Sequence, residues 1–228
     1  MPRIPLLPVT DLTDDQDKVL QSITGGKRGQ GRPLEDFIYA DGSFRGPFNA
    51  WLHSPESGER AQKLGESLRF DNAMPPTLRE LAIICVAVHW RSQYEWWAHA
   101  RIGLREGLAQ EVIDAIKAGE EPPETEPGVQ AVTAFIRELL DQRRVSDATY
   151  DAVHQHLGVQ GTVDLVTLVG YYGMVSANLN VFQVPMPEGE EPPFAGKLTS
   201  YTGGVSHVLN PSVRDARPDV GLAWSCLF

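Results

Sequence analysis

The chain has 228 residues, 42% of them apolar, with 20 basic against 30 acidic side chains and a formal net charge of −10. That length and apolar content allow one domain of ordinary size with a real core. The acidic balance, without a basic cluster, argues against a nucleic-acid partner, because phosphate binding needs clustered Lys and Arg.

Residues 1–16 carry a short apolar run broken by prolines and no small-residue cleavage site, so they do not read as a signal peptide. A helix is predicted over 11–23, capped by Asp11 or Thr13, with Val19, Leu20 and Ile23 as its apolar stripe. Residues 24–33 are Gly-rich and basic but lack the Gly-Lys-Ser/Thr of a Walker loop, and read as a flexible surface loop. A turn-rich connection over 41–47 leads to a short apolar segment, Phe48 to His53. Residues 55–70 are amphipathic, with Ala61, Leu64, Leu68 and Phe70 on the apolar side. Pro75-Pro76 stops that element and starts the next.

The organising stretch is 77–107: an apolar helical run, a break near Trp90-Arg91, and a second helix dense in aromatics. On that second helix Ser92, Glu95 and His99 fall at i, i+3 and i+7 and share a face. Glu80 lies one helix earlier, where an antiparallel turn brings it back against that face. Thr77-x-x-Glu80 and Ser92-x-x-Glu95 also fit capping boxes, so each Glu has a purely structural alternative role. Trp90, Tyr94, Trp96 and Trp97 are packing residues that can also wall off water.

Further helices are expected over 108–118 and 129–144, the latter with a clean stripe of Val129, Val132, Phe135, Ile136, Leu139 and Leu140. A Pro- and acid-rich connector over 119–128 separates them. Ser146-Asp147 caps a helix running to about Leu157, which Gly158 ends. His154 and His156, at i and i+2, point apart on a helix and make no metal pair. A long helix with small residues follows over 161–182; its Gly and Asn content suits a buried helix in a soluble protein, and no stretch offers the ~20 apolar residues of a membrane span. Residues 1–194 therefore read as one helical domain, and 195–228 as an irregular or subunit-wrapping tail. Cys85 and Cys226 lie far apart and outside any metal or redox spacing, which fits a reducing cytoplasm.

Arg79-Glu80-Leu81-Ala82, Tyr94-Glu95-Trp96, His99 and Gly107 together resemble the carboxymuconolactone decarboxylase family, within the wider alkyl-hydroperoxidase D-like (AhpD-like) superfamily. Residues 46–55 and 165–182 extend the resemblance over about 25–187. In the peroxidase branch a Glu precedes a Cys-x-x-Cys-x-x-x-His motif. Here Glu80 and His99 match, but Ser92 and Glu95 stand at the two Cys positions. Thiol–disulfide exchange needs a second sulfur within reach, so the resemblance favours the decarboxylase branch.

The resemblance implies an all-α bundle of about seven or eight helices with no sheet, assembled as a trimer or hexamer, and working without metal or other cofactor. It also implies acid–base decarboxylation of a small unsaturated or lactone carboxylic acid. His99, Glu95 and Glu80 are the expected catalytic groups, and Ser92, Arg45, Phe48, Asn49 and Trp96 the expected substrate contacts. Arg45 is favoured over Arg79, Arg91 and Arg101 for a substrate carboxylate because it abuts Phe48-Asn49. A related isomerase, hydrolase or dehydratase on another small carbonyl compound, a thiol-independent peroxidase-like protein and a non-catalytic helical oligomer are the alternatives.

Overall fold

Residues 76–89 form a helix that is apolar on all sides, and such a helix must be surrounded. In a computed structural model, which describes residues 2–194, it is the centre of the bundle. Eight α-helices occur among the described residues: α1 (Asp14–Thr24), α2 (Pro47–Leu52), α3 (Pro55–Phe70), α4 (Pro76–His89), α5 (Gln93–Glu106), α6 (Gln110–Ala118), α7 (Val129–Gln142) and α8 (Asp147–Val181). A short 3-10 turn, Leu34–Phe37, precedes α2. No strand or sheet is formed among the described residues; two isolated bridges, Pro8 to Ser43 and Ile38 to Phe44, tie the N-terminal segment down. The fold is of the expected all-α class, with eight helices and no sheet among the described residues. The proposed tail at 195–228 lies outside the described residues.

Helix α4 packs against α5, α6, α7 and α8. Leu81, Ala82, Ile83, Ile84, Val86 and Ala87 are fully buried along it. The chain reverses between α4 and α5 through Arg91, whose φ is +48°. Gly107 ends α5 in the left-handed region, at φ +98°. Thr13, not Asp11, caps α1, and it forms a full capping box with Gln16.

The helix predicted to stop at Gly158 does break there, but the break is a kink within α8. Gly158 takes φ +65° and ψ −173°, and the backbone resumes helical geometry beyond it. Ser146 caps its start by accepting from the Thr149 backbone N–H.

The core face of α3 differs from its hydrophobic pattern. Leu64 and Phe70 are exposed, whereas Gly58, Gln62, Gly65 and Leu68 are buried. Close approach is the reason. A Cβ at Gly58 would meet the Trp51 carbonyl oxygen at 2.4 Å. Gln62 donates to the Ser22 carbonyl at 2.9 Å and its hydroxyl at 2.7 Å, joining α3 to α1. Side-chain volume would force the three helices apart, so small and polar residues occupy the seam.

Nothing lies within 4 Å of a Cβ built on Gly158, so the cost of Gly158→Ala is backbone strain alone. Urea unfolding should show a loss of about 1–3 kcal/mol. Leu81→Ala, in the fully buried centre, should cost about 2–5 kcal/mol.

Candidate active site

Helix α5 presents Glu95, Ala98, His99 and Ile102 to one side, at the i, i+3, i+4, i+7 spacing of a single face. That side forms part of the wall of a cavity of about 990 Å³. His99 is 5% exposed, and its ring meets the edge of Tyr172 with centroids 5.1 Å apart. The imidazole is gripped at both nitrogens. Nδ1 donates to Glu80 Oε2 at 2.6 Å, and Nε2 lies 3.1 Å from Glu95 Oε1.

Glu80 comes from α4, with no exposed surface. Its other oxygen, Oε1, accepts from Arg79 Nε at 3.3 Å and has Arg69 at 3.8 Å. An unpaired buried carboxylate would be strongly disfavoured. Burial does press the Glu80 pKa upward, but the charge and hydrogen bond of His99, with Arg69 and Arg79, reverse that and hold it down at about 2. Burial likewise opposes a charge on His99, and Glu80 and Glu95 together outweigh it and raise the imidazole above its ordinary value. The geometry and the direction of both shifts favour a charged pair of Glu80 and His99, with Glu95 on the far side of the ring.

Neither acid is a helix cap. Pro75 is the N-cap of α4, and Thr77 donates to Glu126 instead of serving Glu80. Ser92 is the N-cap of α5 but makes no side-chain capping bond. Both capping-box readings are therefore corrected: tertiary partners hold these side chains.

The expected contact residues divide. Arg45 and Phe48 line the cavity with Glu95 and His99. Asn49 does not. Its amide donates to the Pro5 carbonyl at 3.0 Å and accepts from the Leu7 N–H at 2.9 Å, anchoring the N-terminal segment. Trp96 turns the other way and packs on Phe194, with centroids 5.6 Å apart. Trp97, Trp51 and Tyr94 form aromatic wall in its place. Ser92 is fully buried outside the cavity lining, its hydroxyl without a hydrogen-bond partner among the described residues. Glu80 also stands outside the lining, behind the imidazole.

Several lining residues escaped the sequence reading. Tyr171 and Tyr172 reach the cavity from α8, and Arg69 from the end of α3. Burial pushes the Tyr171 hydroxyl up to about 12, and pushes that of Tyr172 above the ordinary phenol range, so both keep their protons. Lys27, Arg28 and Arg32 arrive from the loop read as flexible surface, and Arg28 is only 9% exposed. The available signal was the basic run itself, in a chain otherwise acidic. Among the described residues no group of three or more His, Cys, Asp and Glu side chains is arranged to hold a metal ion. Cys85 is buried in α4, where loss of hydration raises its thiol to about 12.

Comparison with known proteins agrees with this architecture. One solved structure of similar fold is a peroxidase-related protein with an AhpD core from Ralstonia eutropha JMP134. It is 16% identical, the match covers 82% of this chain and 93% of that one, and the TM-score is 0.64. The debrominase Bmp8, in its apo form, is 10% identical over 82% of this chain and 92% of that one, with a TM-score of 0.61. A protein of unknown function from Agrobacterium tumefaciens, linked by name to AhpD-type antioxidant defence, is 13% identical over 61% of this chain and 96% of that one, at a TM-score of 0.54. At these identities the likeness is one of fold. No curated protein sequence matches this chain. Residues 55–138 match the model of the carboxymuconolactone decarboxylase family. That matched stretch resembles the family and holds Glu80, Glu95 and His99, and the helical fold is like that of the AhpD-type structures.

The ion pair predicts a pH signature. His99, with its folded pKa raised, adds stability that is fully present below about 6.5 and is lost as pH rises through the folded value. Glu80, with its folded pKa depressed, adds stability present above about 4.5 and lost as pH falls toward about 2. Chemical denaturation of the native chain should show a decline above pH 6.5 that Glu80→Gln removes. That variant should also be less stable at pH 6 by about 3–5 kcal/mol, because it leaves His99 and Arg69 without their buried counter-charge.

Proposed function

We propose that the chain is a cofactor-free lyase that decarboxylates a small unsaturated or lactone carboxylic acid by acid–base chemistry. The observation that carries this is the imidazole of His99, fixed between Glu80 and Glu95 on the wall of a cavity rich in arginines and aromatic rings. The family match over residues 55–138 supports the same reading.

The reacting carboxylate lies against the aromatic wall, where it loses hydration. The bond between the carboxylate carbon and its neighbour breaks, and carbon dioxide leaves. The electron pair moves through the conjugated unsaturation onto the lactone carbonyl oxygen as an enolate. Tyr172, which keeps its proton, is a donor suited to that oxygen. His99 then delivers its Nε2 proton to carbon, the carbonyl reforms, and water returns a proton to the ring. Glu95 steadies Nε2. Glu80 acts through His99 as a positioning residue that keeps the ring charged and oriented, since it does not line the cavity. Such proton transfer contributes about 10²–10⁴-fold.

An isomerase, hydrolase or dehydratase acting on another small carbonyl compound would use the same groups. A peroxidase of the thiol type would need two sulfurs where this chain has Ser92 and Glu95. The outer face of α8 exposes Val159, Val163, Val166, Met174 and Val181, which supports assembly of several copies into a trimer or hexamer. The buried thiol of Cys85 suits a reducing cytoplasm.

Carbon dioxide release from a panel of lactone and enol acids tests the reading. Glu95→Gln and His99→Gln should each lower kcat by about 10²-fold or more. For Glu95→Gln the melting temperature should stay within a few degrees of the parent. A panel with no turnover, or full turnover by His99→Gln, would remove the lyase assignment.

A further inference from the structure

Arg28, Arg45 and Arg69 reach the same cavity from three parts of the chain: the loop after α1, the residue pair before α2, and the last turn of α3. Each has its Nε buried without a hydrogen-bond partner among the described residues. The indole Nε1 of Trp97, another lining residue, is in the same condition. All four are donors, and three belong to cations. Buried donors of this kind are rare in folded proteins, and all four belong to side chains that line one cavity.

The charges around the cavity agree. Its lining holds seven Lys and Arg against three Asp and Glu, although the chain as a whole carries −10. Some of these cations are matched: Arg32 pairs with Asp36, Arg101 with Glu190, and Lys27 with Asp71. Arg69 is only 3.8 Å from Glu80, an acid already shared with His99 and Arg79. Among the described residues Arg28 and Arg45 make no ion pair within 4 Å; Arg28 hydrogen-bonds the Tyr171 hydroxyl and lies 5.8 Å from the Phe48 ring, and Arg45 lies 5.7 Å from the Tyr39 ring.

The backbone is shaped to sink Arg28. A Cβ at Gly29 would overlap the Thr24 carbonyl oxygen at 1.7 Å, so only glycine lets the loop turn back this tightly. A Cβ at Gly65 would strike the Tyr171 hydroxyl at 2.0 Å and an Arg28 terminal nitrogen at 2.6 Å. The missing side chain makes the slot that Arg28 occupies, one helical turn before Arg69. A surface loop would need neither device.

The geometry points to an oxyanion-binding subsite formed by Arg28, Arg45 and Arg69, which takes a second anionic group of the ligand, carboxylate or phosphate. The subsite rests on the lyase reading only for what happens at the other end of the molecule. The substrate is then at least doubly charged, with one anion at the arginines and one reacting near His99. Guanidinium groups meet such oxygens through paired N–H donors.

The full chain, in low-salt buffer without chloride, is titrated with inorganic phosphate and separately with succinate, using calorimetry and the ligand-dependent shift in Tm. At least one anion should bind. Arg28→Gln should weaken that binding by about 10-fold or more, with Arg28→Lys in between. Lys18→Gln, an exposed change on α1 of equal charge, should leave it unaltered. Phosphate alone would assign a tetrahedral dianion, and succinate alone a carboxylate; both support the subsite. Binding of neither anion, wild-type affinity in Arg28→Gln, or equal loss in Lys18→Gln would overturn it. Should Arg28→Gln fail to fold, Arg45→Gln, whose side chain is less buried, carries the same comparison. Anion binding without carbon dioxide release from any acid would leave the subsite standing and remove the lyase reading. Turnover unchanged in Arg28→Gln with no anion bound would do the reverse.

Discussion

The buried ion pair between Glu80 and His99 is the contact on which the rest of the site depends. A carboxylate with no exposed surface cannot stay charged in an apolar helix bundle unless its partners replace water. His99 at 2.6 Å and Arg79 at 3.3 Å do so, with Arg69 behind them. The same contact fixes the imidazole ring and its charge. It also joins α4 to α5, the pair whose antiparallel return builds the wall of the cavity. Chemistry and architecture therefore share one interaction, and loosening it would disturb both.

Around this pair the protein concentrates positive charge against its own overall sign. The arginines are not scattered over the surface, where counter-ions and water would absorb their effect. Arg28 is drawn inward by a tight backbone turn at Gly29 and by Gly65, which leaves out an obstructing Cβ. At α3 the same economy of volume appears in the seam with α1 and α2, where Gly58, Gln62 and Gly65 replace the expected apolar stripe. Close approach, more than hydrophobic area, decides which residues occupy these positions.

Glu95 and His99 were legible from spacing alone, since i and i+4 on one helix can only be neighbours. Glu80 was legible once the break near Trp90-Arg91 was taken as a reversal. The tyrosines were not. Tyr171 and Tyr172 sit in a helix rich in small and apolar residues, and a phenol there looks like packing until its neighbours are known. Trp96 and Trp97 could not be told apart either: adjacent residues on a helix diverge by about 100°, and only the placement of α5 decides which one meets the cavity. The resemblance implied Asn49 as a substrate contact, yet the fold uses its amide to hold Pro5 and Leu7.

By itself the sequence determined the helices other than α2, most of their ends, and the acid–imidazole face of 92–99. These follow from local periodicity, proline and glycine positions, and side-chain chemistry. Tertiary structure alone decided that both glutamates bind histidine and are not caps, and that the basic loop turns inward. Those outcomes depend on which distant residues share a volume, and no local pattern records that.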